Sequence, residues 1–465
     1  MKIVLLDSPS WRLFAPTMHV HLGILYLAGS LRGAGFDVTI ADPHYVTSWD
    51  KANERLTIHP DWMVPCDILG ISATTAQIPW ALEIARNWPA RIKILGGAHA
   101  TYLALGPHER FKRRKYFGNF DYIMLGEADD SLVEFCRQID SGICPRRIPG
   151  LGWFESDGTL VSNPPAPVDV TQVAGPAFAS WPIPWSRQGM AIRGRILDLP
   201  MAAVYTARGC PYGCRFCADA RTGLREETLA QTIRQASQLK QLGAKAACVR
   251  DDTFTIKPKR SLSIAQALND AGLKWRAMTR VNLVDTEFFR DLAGNGCAEL
   301  DLGVESGSAK MLKLMGKGTT PEMNAAATEA IWNAGIVPCV MLMVGFPGET
   351  VETIKETRKW LTGVRAGRIS FTLFQPYPGC DVWNHPDRYG VRLPDAPFDR
   401  WWQVGLEGTE DELVLDLPSI TRKDLLQARR DLGNWIDDHV GSRDRTMLLL
   451  PEENHRSPLC AASAS

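Results

Sequence analysis

Short apolar runs alternate with amphipathic ones along the first third of the chain, at spacings that switch between strand and helix periods. Residues 2–6, 37–41, 66–72, 92–97 and 121–125 read as buried strands, and residues 22–34 and 78–88 as helices. Such alternation predicts an open parallel sheet with helices on both faces. Five strands suit a flavodoxin-like order, in which ligands sit at the carboxyl ends of the strands. Residues 1–144 therefore read as a doubly wound α/β domain. Residues 145–199 are rich in proline and tryptophan, with a small hairpin at 150–161, and read as a connector in which Trp181 and Trp185 pack.

From residue 200 the period changes to repeated strand–helix units. Strands are predicted at 202–205, 246–250, 275–280, 299–304, 337–344 and 369–374, with an amphipathic helix at 228–242 closed by Gly243. Six such units over 200–380 make a partial (β/α)6 barrel, whose right-handed crossovers gather the strand ends at one mouth. Residues 381–450, with a helix at 421–440, read as a cap over that mouth. Residues 451–465 are small and polar, the composition of a disordered tail.

A length of 465 residues calls for two or three domains. The 52 basic and 52 acidic residues cancel, which gives no general attraction to nucleic acid or to an anionic membrane. No apolar run is long enough to span a bilayer. Residues 1–7 lack the pattern of a secretory signal, so a cytoplasmic, reducing setting is expected for the eleven cysteines.

Three of those cysteines, Cys210, Cys214 and Cys217, stand in C-x3-C-x2-C spacing directly after a strand. A structural zinc site takes four N or S ligands, and no fourth Cys or His stands nearby in sequence; a distant one stays open. A disulfide fits a reducing setting poorly. Three close thiolates instead suit a [4Fe–4S] cluster, normally held by four, with one iron left open. No second cysteine cluster follows, since Cys380 and Cys460 stand alone.

With Phe216 just before the last cysteine, this stretch resembles the signature of the radical S-adenosylmethionine (SAM) superfamily. The resemblance implies that the open iron chelates the amino and carboxylate groups of SAM. Reductive cleavage then gives a 5′-deoxyadenosyl radical that takes hydrogen from a substrate. The strand-end segments 7–9, 42–44, 72–75, 96–99 and 126–129 resemble the cobalamin-binding domain that often precedes such a barrel. The D-x-H-x-x-G sequence of one group of cobalamin proteins is absent after the first strand, which leaves cobalamin binding open. His19, His21, His44 and His99 read as surface or loop histidines.

The same resemblance nominates site residues at the barrel mouth. Asp251 and Asp252 follow the second strand, where the family has a glycine-rich segment near the SAM amino group; a helix N-cap is the competing role. Arg280 suits a carboxylate, or a structural ion pair. Glu305, with Ser306 beside it, suits the ribose. Gly345 allows approach of the adenine, Phe346 covers it, and Tyr377 limits the substrate pocket. Two reactions fit. Overall size and layout resemble a radical 1,2-diol dehydratase of aminoglycoside antibiotic biosynthesis, with Asp251, Asp252, Glu305 and Tyr377 as acid–base candidates and an aminosugar as substrate. The alternative is cobalamin-dependent methylation. Either draws electrons from a donor such as flavodoxin or ferredoxin.

Overall fold

The computed structural model describes residues 1–9, 22–50, 55–180, 188–192, 195–196, 200–281, 285–394, 398, 401, 409–440 and 447–449. Trp181, Trp185, His19, His21 and the tail lie outside them. The first strand, β1 (Lys2–Asp7), buries four residues in succession. Its side chains alternate between two cores: Ile3 and Leu5 join one, Val4 and Leu6 the other. A continuous apolar run is what a parallel strand covered on both faces requires.

Strands β2 (Asp37–Ala41), β3 (Cys66–Ser72), β4 (Ala90–Gly96) and β5 (Tyr122–Met124) pair parallel around β1 in the order 2-1-3-4-5, the flavodoxin-like arrangement. Helices α1 (Leu22–Gly33), α2 (Ile78–Asn87), α3 (Ala98–Leu105) and α4 (Asp129–Asp140) connect and cover them. The hairpin seen in the sequence does not belong to the connector. Its strands β6 (Leu151–Phe154), antiparallel to β5, and β7 (Leu160–Ser162), antiparallel to β6, carry the sheet past residue 144.

The second sheet is fully parallel, in the order β8 (Met201–Val204), β11 (Ala246–Val249), β12 (Lys274–Thr279), β13 (Cys297–Glu305), β14 (Val337–Val344) and β15 (Arg368–Leu373). Between β8 and β11 lie two short strands, β9 (Ala207–Arg208) and β10 (Arg225–Glu226), that pair with each other, followed by α5 (Leu229–Gln241). Trp383 and Trp401 are buried with Phe398 against Phe111 and His108 of the first domain. The helix α6 (Arg422–Val440) packs on the edge strand β15 and on the helix Val351–Leu361. Among the described residues no helix is long and apolar enough to cross a membrane.

Candidate active site

The three cysteines sit in a loop closed at its base by the β9–β10 pair, in the register Ala207↔Glu226 and Arg208↔Arg225. Gly209 opens the loop at φ +84, where an added Cβ would lie 2.0 Å from the Gly223 carbonyl oxygen. No side chain fits there. Cys214 is buried, Cys210 and Cys217 are partly exposed, and none forms a disulfide. Arg280 Nη1 donates to Cys214 Sγ at 3.0 Å, its Nη2 donates to the Lys317 carbonyl, and its guanidinium lies 4.0 Å from the Tyr212 ring centre.

Beside the loop lies a cavity of about 720 Å³ shared by both domains. Gly70, Ser72, Gly96, Gly97 and Met124 line it from the first sheet, and Gly209, Asp219, Arg250 and Asp252 from the barrel mouth. Gly96 has nothing nearer its missing Cβ than the Met124 carbonyl at 3.7 Å, so it leaves a slot between the strand ends. Asp252 is at the barrel end of this cavity. Burial, then Asp219 and Asp251, push its carboxyl up to about 6. Tyr102, from α3 of the first domain, donates its hydroxyl to Asp219, and burial followed by Asp219 raises the Tyr102 phenol.

Several residues expected at the site are engaged elsewhere. Asp251 is 1% exposed; its Oδ1 accepts from the Thr206 and Ala207 amides at 2.7 and 3.0 Å, and its Oδ2 from the Thr206 hydroxyl. It braces the approach to the cysteine loop, neither a helix cap nor an acid facing the cavity. Arg280 is at the cysteine loop, where its Nη1 donates to Cys214. Glu305 accepts from Lys317 Nζ at 2.8 Å and holds φ +65, a left-handed conformation unusual for a side-chain-bearing residue. Ser306 is buried against Thr357 and caps the amide of Ser308. Phe346 is fully buried against Phe374 and Tyr389 and offers no face to an adenine. Gly345 is at φ +84, with Leu373 and Leu425 beside the position of its missing Cβ. Tyr377 packs on the same core as Phe346, and burial pushes its phenol up to about 12. Phe216 is partly buried there too, with Lys317 Nζ 5.7 Å from its ring centre. His99 is a core histidine, held by Thr75 at 3.1 Å, and burial lowers its pKa to about 3.

Residues 204–361 match the Radical SAM superfamily. The chain carries a radical SAM domain. Such a domain holds a [4Fe–4S] cluster and SAM, and the three-sulfur loop with Arg280 beside it fits the cluster. Over 402 residues, 83% of each chain, the protein is 28% identical to an uncharacterized methyltransferase of Pyrococcus horikoshii. Over 380 residues it is 26% identical to the anaerobic magnesium-protoporphyrin IX monomethyl ester cyclase of Rubrivivax gelatinosus, covering 78% of this chain and 65% of the cyclase, just under two-thirds of that protein. Among solved structures, the radical SAM methyltransferase TsrM of Kitasatospora setae, with cobalamin and a [4Fe–4S] cluster bound, superposes with a TM-score of 0.64. That match has 17% identity and covers 85% of this chain and 81% of that one. The radical SAM domain and the sheet before it thus share a fold with a two-cofactor enzyme.

Proposed function

We propose that this protein is a cobalamin-dependent radical SAM methyltransferase acting on a small molecule. The observation that carries this reading is the cavity itself. It runs from the slot at Gly70, Gly96 and Gly97, between the strand ends of the first domain, to Gly209 and Asp252 at the cysteine loop. Its volume lies in the upper part of the range of small-molecule sites. Gly70, Gly96 and Gly97 would hold a corrinoid at the strand ends, with the cysteine loop across the cavity. The methyltransferase relative and the cobalamin-bound TsrM fold support the same reading.

With cluster, SAM and corrin bound, the site would supply a substrate carbon radical and a methyl group to meet it. The chain's own residues prepare the place. Leu5, Ile24, Leu27, Ile71, Ile94 and Leu224 line the cavity with apolar surface that excludes water from a reactive radical. Arg280 fixes the buried cysteine, and Asp252 offers a carboxylate to the amine of SAM.

Diol dehydration has less support. It needs an acid–base pair at the substrate, yet Asp251 and Glu305 are engaged by Thr206 and Lys317, and Tyr377 does not line the cavity. Asp252 alone of the four candidates does.

The test is reconstitution with iron, sulfide and hydroxocobalamin under anaerobic conditions, followed by desalting and metal analysis. Four irons and about one cobalt per chain, with S-adenosylhomocysteine formed on turnover, are expected. Four irons with no retained cobalt would sink the methyltransferase reading.

A second experiment addresses Asp252. Its carboxyl ionises as pH rises through about 6, so the charge that receives the amine is present above that pH and lost below it. Formation of 5′-deoxyadenosine by the native protein is expected to fall on acidification through pH 6. Asp252→Asn is expected to raise the KM for SAM roughly 10- to 100-fold, the value of a charge-assisted hydrogen bond, and to flatten that acidic limb. An unchanged KM would remove Asp252 from the amine subsite.

A further inference from the structure

The segment Gly126–Asp129 follows the last parallel strand of the first sheet, where a ligand contact would be expected. Its two carboxylates instead grip the hairpin that encloses the cysteines. Arg208, on β9, donates to Asp129 Oδ2 at 2.9 Å and Oδ1 at 3.3 Å. Arg225, facing it on β10, donates to Glu127 Oε2 at 2.5 Å and Oε1 at 2.8 Å. Each arginine therefore meets its carboxylate two-pronged, the strong and directional form of this pair. A third contact comes from α1. Tyr26 donates to Glu227 at 2.6 Å, one residue past β10, and its ring lies 4.7 Å from the Arg208 guanidinium carbon. Both strands at the base of the cysteine loop are thus fastened to the first domain. Glu127, Asp129, Arg208, Arg225 and Tyr26 also line the shared cavity.

We infer that this clasp couples the two cofactor sites, with Glu127, Asp129, Arg208 and Arg225 as positioning residues. A ligand in the cavity rests on the clasp, and the clasp sets the base of the loop that holds the cluster. A cluster held by the loop whose base these pairs fix, and a corrin resting on the same pairs, would each favour the clasped arrangement. Coupling of this kind is reciprocal: whatever factor the cluster adds to corrin affinity, the corrin returns to the cluster. The inference rests on the proposal that the cavity takes cobalamin.

Hydroxocobalamin is titrated into the full-length protein, cluster-free and cluster-reconstituted, and followed by tryptophan fluorescence and retained cobalt. Binding to the reconstituted form is expected to be about 5- to 100-fold tighter. Iron removal by a chelator is expected to slow correspondingly when hydroxocobalamin is present, a measurement that needs no variant. In Glu127→Gln and Arg225→Gln, which keep hydrogen-bonding groups but break the charge pair, the affinity ratio should fall to within about twofold of unity. Circular dichroism should stay at native values, so that a lost ratio reports the clasp and not unfolding. Equal affinity for the two native forms, or a native ratio in both variants, would overturn the coupling. No binding to either form would instead overturn the cobalamin reading beneath it.

Discussion

Cys214→Ala is expected to abolish formation of 5′-deoxyadenosine and to lower bound iron well below four per chain. Of the three loop sulfurs, Cys214 is the buried one, and it is the sulfur that Arg280 approaches at 3.0 Å. A [4Fe–4S] cluster with one iron open for SAM already lacks a protein ligand, so losing another leaves two thiolates for four irons. Cys248→Ala is the control. Cys248 is equally buried, on β11, and points into a small core with Met201, Ala246 and Val337. Its loss removes a small apolar group at a cost of about 1 kcal/mol and should leave the iron count and the chemistry intact. Native 5′-deoxyadenosine formation by Cys214→Ala would overturn the assignment of the loop as the cluster site.

The cysteine loop and both sheets are legible in the sequence because their signals are local. Ile3–Leu6 and Val337–Val344 announce parallel strands by unbroken apolar runs, and the cysteines fall within eight positions of each other. Side-chain roles at the mouth are not local. Asp251 and Asp252 are neighbours in sequence, yet one is enclosed by Thr206 and the other lines the cavity, and alternation along an irregular turn does not say which. Glu305 meets Lys317 from 12 residues away and Ser306 meets Thr357 from 51. Tyr102 reaches Asp219 across 117 residues and Arg225 reaches Glu127 across 98, so no spacing rule brings them together. Asp219, two places after Cys217, carries a sequence signal that proximity to the cysteines could have raised. For the hairpin β6–β7 the sequence shows that two strands pair, not which sheet edge they cover. For α6 the apolar stripe says that one face is buried and leaves its partner open.

The largest stability effect is expected away from the mouth, in the N-terminal halves of the barrel strands. There Arg276 on β12 and Arg368 on β15 enclose Glu299 and Asp301 on β13. Arg276 meets Glu299 at 2.9 Å and also pairs with Asp301; Arg368 meets the two carboxylates at 2.7 and 3.0 Å. All four side chains are at most 10% exposed. Burial would raise the Asp301 carboxyl, but Arg276 and Arg368 outweigh it and hold the group below its ordinary value. Cys339 brings the carboxylates within reach of a metal-like triad, yet a divalent ion there would face two guanidinium charges, so the box reads as two cations paired with two anions. Glu299→Ala leaves two buried guanidiniums against one carboxylate, a loss of about 3–5 kcal/mol. With several domains present the midpoint shift is the safer measure, and a fall of roughly 10 °C is expected. Glu299→Ala combined with Arg368→Met restores neutrality and should recover much of that fall, because the cost lies in the uncompensated charge more than in the missing pair. Equal midpoints for native protein and Glu299→Ala would refute the charge argument, and an equal fall in single and double variants would make packing the cause.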